Sequence, residues 1–483
     1  MVDVLLVNPP DVTTKYQRFL GITAPPLGLA YIAAVLEEAG YTVRILDCPA
    51  LGMSLEEFRR TVRRLKPAIV SISATTPIIK QAYRAARAVK QEVEDALVCL
   101  GGYHPTFMDK ECLMECDAVD VVVRREGEYT VLDLARSVVD GDEELGEILG
   151  ITYRDEDGRP VRNPDRPLIQ DLDTLPFPAR HLLPMDRYTF FGSRTSATTI
   201  VSSRGCPMRC EFCASAALHG HRLRAHSAER VVAEMLHVHE RYGSDIIAFV
   251  DDTFTYDRRR VEKICRLLIE SGVDITWGCS ARVDTVDREL LELMKEAGCS
   301  TLFFGVESGS QEILDNVNKG FTVEQTKRVF EMCKDIGIIT VASAVVGLPG
   351  ETHESAKRTI KFLKELDPDY AIVSVATPYP GTRFYERAEK EGLIEEKSWD
   401  KFTLMDPVIR TTELTPEEVK KYQKRAMIEF YVRPRYLIRM LRRNGLDAVK
   451  VVGTMLAEVV AKRLKALALK LPSPRYDIRR KRS

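Results

Sequence analysis

Apolar residues over the first 150 positions fall into short β-branched runs, VDVLLVN, TVRILD, AIVSISA and ALVCLGG. Between them lie stretches with helical apolar spacing, LGLAYIAAVLEEAG, LEEFRRTVRRLKP and IIKQAYRAARAVKQE. This alternation predicts an α/β fold, a doubly wound, Rossmann-like parallel sheet. Ligands of such sheets bind beyond the carboxyl ends of the strands. Four segments should emerge there: Asn8-Pro9-Pro10; Ser73 to Thr76, including Thr75; Gly101-Gly102-Tyr103-His104; and Arg125-Glu126-Gly127-Glu128. No G-x-G-x-x-G follows the first strand, which argues against a dinucleotide site.

Residues 151–195 are rich in Pro, Asp and Gly and read as a small hairpin followed by an extended linker. A second alternation runs from 196 to about 395, beginning ATTIVSSR, AERVVAEMLHVHERYG, DIIAFVDDT and ending YAIVSVATPYPG. Its six strand-helix repeats are too few for an eight-unit barrel, so a partial (β/α)6 barrel with one open side is expected. Residues 396–483 read as a helical C-terminal region with a basic tail, in which Leu464, Leu467 and Leu471 fall at near-helical spacing. The tail is either a solvated basic helix or an amphipathic anchor for a membrane surface or an acidic partner.

The formal net charge of −1 leaves no global field toward nucleic acid. Eight of the eleven cysteines lie scattered, without a disulfide framework, which fits a reducing cytoplasm. The opening MVDVLLVNPP reads as a first strand and not as a signal peptide, and no apolar run is long enough to span a bilayer.

The other three cysteines carry the chemistry. Cys206-x-x-x-Cys210-x-x-Cys213, in SSRGCPMRCEFC, supplies three thiolates within eight residues. Three thiolates hold three corners of a 4Fe-4S cluster and leave one iron without a protein ligand. Gly205 permits a tight turn, while Pro207 and Phe212 pack against the cluster. A structural zinc site completed by His219, His221 or His226 is the competing reading, although paired zinc-module spacing is absent.

This loop resembles that of the radical S-adenosylmethionine enzymes. The resemblance covers about 190 residues and implies that the open iron chelates S-adenosylmethionine, whose reductive cleavage yields a 5′-deoxyadenosyl radical. Gly305-Val306-Glu307-Ser308-Gly309 looks like the family's GxESG element, which assigns Glu307 and Ser308 to the cofactor's ribose or methionine part; Ser308 could equally cap a helix. Arg282 pairs either with the methionyl carboxylate or with a structural acid. Asp252, beside Asp251, is assigned to cofactor or substrate, Val345 in VVGLPGET to the adenine strand, and Tyr379 in Pro-Tyr-Pro-Gly-Thr to a hydrogen bond with substrate.

The order NPP, PPLGLAYIAAVLEEAG with Gly28, a strand ending in Asp47, SISATT, GGYHPT and REGE resembles the cobalamin-binding domain of cobalamin-dependent radical enzymes. Gly101 and Gly102 would admit the nucleotide tail of the cobalamin, the other loops would grip the corrin rim, and a loop such as Ser73 to Thr76 would lie beneath the cobalt. No Asp-x-His-x-x-Gly run supplies a cobalt ligand, which leaves His104 as the one rival. A module that binds nothing, or only a partner, is the alternative.

Together these resemblances imply a cobalamin-dependent radical enzyme that methylates an unactivated carbon. Its substrate would be a peptide or protein side chain, as with the glutamine of methyl-coenzyme M reductase, or a lipid. An external electron donor of ferredoxin or flavodoxin type is implied. The rivals are an oxidative cyclase resembling magnesium-protoporphyrin ester cyclase and a cluster-bearing sensor or assembly protein.

Overall fold

A computed structural model describes residues 2–10, 23–189, 197–440 and 442. The basic tail with Leu464, Leu467 and Leu471, and residues 190–196 at the end of the expected linker, lie outside the described residues.

The first sheet comprises β1 (Val4–Asn8), β2 (Val43–Asp47), β3 (Ile69–Ser73), β4 (Leu97–Gly101), β5 (Val121–Val123), β6 (Ile151–Arg154) and β7 (Pro160–Arg162). Its order is β2-β1-β3-β4-β5-β6-β7, parallel through β5, with the β6–β7 hairpin added antiparallel. The two-residue period of the strands separates two cores. Val4 and Leu6 face helix Leu27–Glu38, while Leu5 and Val7 face helices Leu55–Leu65 and Ile79–Glu92. Strands buried on both faces explain the unbroken apolar runs. The order reverses between β1 and β3, and this switch point opens a crevice at the carboxyl edge.

The second sheet comprises β8 (Ala197–Ile200), β11 (Ile246–Phe249), β12 (Thr276–Ala281), β13 (Cys299–Glu307), β14 (Ile339–Val346) and β15 (Tyr370–Val375). All six strands are parallel and run β15-β14-β13-β12-β11-β8. A short antiparallel pair, β9 (Ser203–Arg204) and β10 (Arg224–Ala225), flanks the cysteine loop. β8 and β15 do not pair, so the barrel is partial. Its edges are covered: Arg180 Nη2 donates to Thr199 O on β8, and Val375 N on β15 donates to Leu404 O.

After helix Arg383–Lys390, which follows the last barrel strand, the next α-helix is Pro416–Tyr431. The residues before it form a strap back to the first sheet. Trp399 packs edge-on against His104 with ring centroids 4.9 Å apart, and Lys80 Nζ donates to Ser398 Oγ and Asp400 Oδ1 at 2.6 and 2.7 Å. Gly381 makes a second contact between the sheets. A Cβ there would lie 2.3–2.5 Å from the Phe107 ring, and its φ is +83°, so no other residue fits easily.

Candidate functional site

The three cysteines sit in the loop that follows β9. Cys206 and Cys210 are half-buried and Cys213 is exposed. Gly205, at φ +87°, begins the loop because a Cβ would lie 2.3 Å from Arg222 O. The Cys206 thiol lies 3.7 Å from Thr253 Oγ1, and Arg282 Nη1 is 4.0 Å from Cys210 Sγ. Among the described residues no three His, Cys, Asp or Glu side chains converge as a single zinc ion requires. Thiols spread along one loop beside cationic groups suit the larger, negatively charged iron cluster.

Glu307 ends β13 at φ +60°, a conformation uncommon outside glycine, and is buried. Its Oε1 accepts from Lys319 Nζ at 2.7 Å, while its Oε2 has no hydrogen-bond partner among the described residues. Gly305 leaves room for this pair, since a Cβ there would meet Oε1 at 2.4 Å and Lys319 Nζ at 2.9 Å. Burial alone lowers the Lys319 pKa, but Glu307 and Cys210 outweigh it and keep the ammonium charged. Lys319 also lies 5.8 Å from the Phe212 ring. Sequence reasoning missed this lysine, since its place twelve residues beyond Glu307 follows no motif.

Arg282 makes the structural salt bridge, Nε and Nη2 donating to Asp284 at 2.9 and 2.8 Å and Nη2 also to Lys319 O at 2.6 Å. Only Nη1 faces the cysteine loop. Ser308 is turned to a structural role. Its fully buried hydroxyl is shared with Thr359 at 3.0 Å and accepts from Ser310 N, and Ser310, not Ser308, occupies the helix cap position.

The adjacent acids divide. Asp251 accepts from Ser202 N, Ser202 Oγ and Ser203 Oγ at 2.5–2.7 Å, and burial raises its pKa. Asp252 instead keeps a buried Oδ2 without a partner among the described residues. An orphaned buried carboxylate oxygen invites a ligand or water. Val345 and Tyr379 are half-buried at the rim of one apolar cluster with Phe212, and burial raises the Tyr379 pKa, so the phenol keeps its proton.

At the first sheet's carboxyl edge, several expected cofactor contacts are occupied by protein. Asn8 Nδ2 donates to Asp47 Oδ1, and Tyr188 OH to Asp47 Oδ2, both at 2.9 Å. Pro9 and Pro10 are buried beside them. His104 is buried, its Nδ1 3.3 Å from Thr76 Oγ1, and burial lowers its pKa to about 4. Packed under Trp399, it is not placed as an exposed ligand.

Glu126 and Glu128 correct the corrin-rim expectation most clearly. Glu128 accepts from Arg204 at 2.6 Å, and Glu126 accepts from Arg224 at 2.8 Å, Arg204 at 3.2 Å and Ile169 N at 2.8 Å. Burial would lower the Arg204 pKa, but these two carboxylates raise it instead. The four side chains form a clamp between the sheets, which single-strand patterns do not reveal. Gly127 serves packing, since a Cβ there would lie 3.0 Å from Ile32.

What stays open at this edge is small or neutral. Gly28 has nothing within 4 Å of an added Cβ, Ser73 is half-buried and Thr75 exposed. Gly102, at φ +102°, brings the β4 loop against the β3 loop, where a Cβ would lie 2.6 Å from Ala74 O; Gly101 has ordinary room. Tyr103 then crosses to the other sheet. Its ring meets His219, in the short helix Ser215–His219 just beyond Cys213, edge-on at 6.3 Å. Burial and the charge of Asp252 push its pKa up to about 12.

Comparison with known proteins agrees with this two-sheet layout. Residues 20–135 match the B12 binding domain model and residues 200–363 the radical SAM superfamily model. An uncharacterized methyltransferase of Pyrococcus horikoshii is 40% identical over 439 residues, covering 91% of this chain and 94% of that protein. The anaerobic magnesium-protoporphyrin IX monomethyl ester cyclase of Rubrivivax gelatinosus is 32% identical over 393 residues, covering 80% and 70%. The cobalamin-dependent S-adenosylmethionine radical enzyme OxsB, solved with aqua-cobalamin and S-adenosylmethionine bound, superposes with a TM-score of 0.72 at 18% identity, over 96% of this chain and 75% of that one.

Proposed function

The chain belongs to the cobalamin-dependent radical S-adenosylmethionine methyltransferase family, and we propose that it transfers a methyl group to an unactivated carbon. One observation carries this reading: the ring of Tyr103, from the loops of the first sheet, meets edge-on the ring of His219, in the short helix Ser215–His219 that follows the cysteine loop of the second, with ring centroids 6.3 Å apart. Two ligand edges therefore face a common space.

The residues present fit the implied cofactors. Cys206, Cys210 and Cys213 would hold the cluster. Glu307 through its free oxygen, Arg282 through Nη1, Asp252, Phe212 and Val345 would hold S-adenosylmethionine. Gly28, Ser73, Thr75, Gly101, Gly102 and Tyr103 would line the cobalamin edge. Bound there, these groups supply a hydrogen-abstracting radical and a transferable methyl group. The protein's part is to orient and to keep water out. Lys319 sets Glu307, Asp284 sets Arg282, and the Trp399 strap seals His104 and Thr76 from solvent. Tyr379, its proton retained by burial, would donate to a substrate oxygen.

The substrate proposed is a peptide or protein side chain, or a lipid. Val250, at the carboxyl end of β11, is 52% exposed beside Asp252, which supports a substrate with an apolar portion. The test is turnover with methyl-deuterated S-adenosylmethionine. Methylation produces 5′-deoxyadenosine and S-adenosylhomocysteine in equal amounts and a labelled product. The likeness to the cyclase favours a second reading, which predicts 5′-deoxyadenosine without S-adenosylhomocysteine.

A further inference from the structure

The first compact unit ends at Gln423, and the charge of the chain changes there. Residues 424–483 carry 17 Lys and Arg against four Asp and Glu, although the whole chain has a formal charge of −1. The described part of this region shows how that charge is presented. Tyr431, Tyr436 and Met440 are buried, with Phe430 and Tyr431 each 5.2 Å from the Tyr436 ring. The opposite side, at steps of three and four residues, exposes Val432 at 41%, Arg435, Ile438 at 50% and Arg442, with Arg439 half-buried among them. A merely solvated face needs no large apolar side chain between its arginines, and a polyanion such as nucleic acid gains nothing from one. A bilayer interface takes both.

We propose that this face docks the protein on an anionic lipid bilayer. Arg435 and Arg442 pair with headgroup phosphates, and Val432 and Ile438 enter the acyl boundary. The proposal is independent of the reaction performed in the barrel.

Flotation of the full-length protein with vesicles tests it, comparing phosphatidylglycerol mixed into phosphatidylcholine with phosphatidylcholine alone. Binding should require the anionic lipid at about 0.1 M salt and be largely lost at about 1 M. A triple variant, Arg435→Glu, Ile438→Asp and Arg442→Glu, should bind about 30-fold or more weakly while keeping the wild-type circular dichroism spectrum and melting midpoint. Arg60→Glu with Arg64→Glu, exposed on helix Leu55–Leu65, should change binding little. No binding to anionic vesicles, a triple variant that binds like wild type, equal loss in the control variant, or tighter binding to DNA or polyglutamate than to vesicles would each overturn the proposal.

Discussion

The carboxyl edges of the two parallel sheets use their loops in opposite ways. At the first, polar side chains are tied to protein partners, Asn8 to Asp47, His104 to Thr76, and Glu126 and Glu128 to Arg204 and Arg224. Glycines and small hydroxyls are left to meet a ligand. At the second, reactive atoms stay available: three thiols, Glu307 Oε2, Asp252 Oδ2 and Arg282 Nη1. One topology thus builds a neutral rim suited to a broad ligand held by shape, and a charged pocket suited to a small one held by ligation. Distant cations reach both edges, Arg204 and Arg224 at the first and Lys319 and Arg282 at the second, and the edges differ in the acceptor atoms that packing leaves unpaired.

The largest expected effect breaks the comparison at the charged edge. Replacing Cys206, Cys210 and Cys213 together by Ala should remove all bound iron while leaving the corrinoid absorption of the reconstituted protein intact. Iron retained, or cobalamin lost with it, would show that the edges are not separate. Next, Arg204→Met strands Glu128 and weakens the hold on Glu126, and the loss of a buried partner should lower unfolding free energy by about 3–5 kcal/mol in urea titration.

Acid and base sharpen the contrast, because one buried group on each side titrates with opposite sign. Burial lowers the His104 pKa from 6.5 to about 4, so the unfolded chain binds the extra proton and stability falls as pH drops through that interval. Burial raises the Glu351 pKa from 4.5 to about 7 despite backbone donation from Gly347, so the folded state holds the proton and stability falls as pH rises through that interval. Each amounts to about 3 kcal/mol. Because the two intervals overlap, these slopes largely cancel in the wild type, so His104→Gln should unmask a limb along which stability falls as pH rises from 4.5 to about 7, and Glu351→Gln a limb along which it falls as pH drops from 6.5 to about 4. Interchanged or unaltered limbs would refute the assignment.

Smaller effects come from the contacts that join the sheets. Gly381→Ala forces a Cβ into the Phe107 ring and should cost about 2 kcal/mol, relieved when Phe107→Ala is added. Lys80→Ala breaks a half-exposed pair with Asp400 and should cost less than about 1 kcal/mol. A double-mutant cycle that shows no coupling between Gly381 and Phe107 would remove that contact from the interface.

Both sheets were legible in sequence because apolar period is local: Val4 and Leu6 part from Leu5 and Val7 whatever lies far away. The cysteine loop was legible for the same reason, three ligands within eight residues. The roles of Glu126, Glu128 and Ser308 were not. A carboxylate in a strand-end loop looks alike whether it meets a ligand or an arginine, and Arg204 and Arg224 lie more than seventy residues away. Lys319 and Trp399 escaped notice because neither belongs to a periodic or spaced motif.

The amino-acid order by itself determined two βα alternations, the number of barrel strands and the presence of three adjacent thiolates, since strand period, helix period and ligand spacing are all written within a few residues. Only the tertiary structure decided which polar groups remain free. Pairing a buried charge depends on what another segment brings within about 3 Å of it, and that distance is set by packing of elements far apart in the chain.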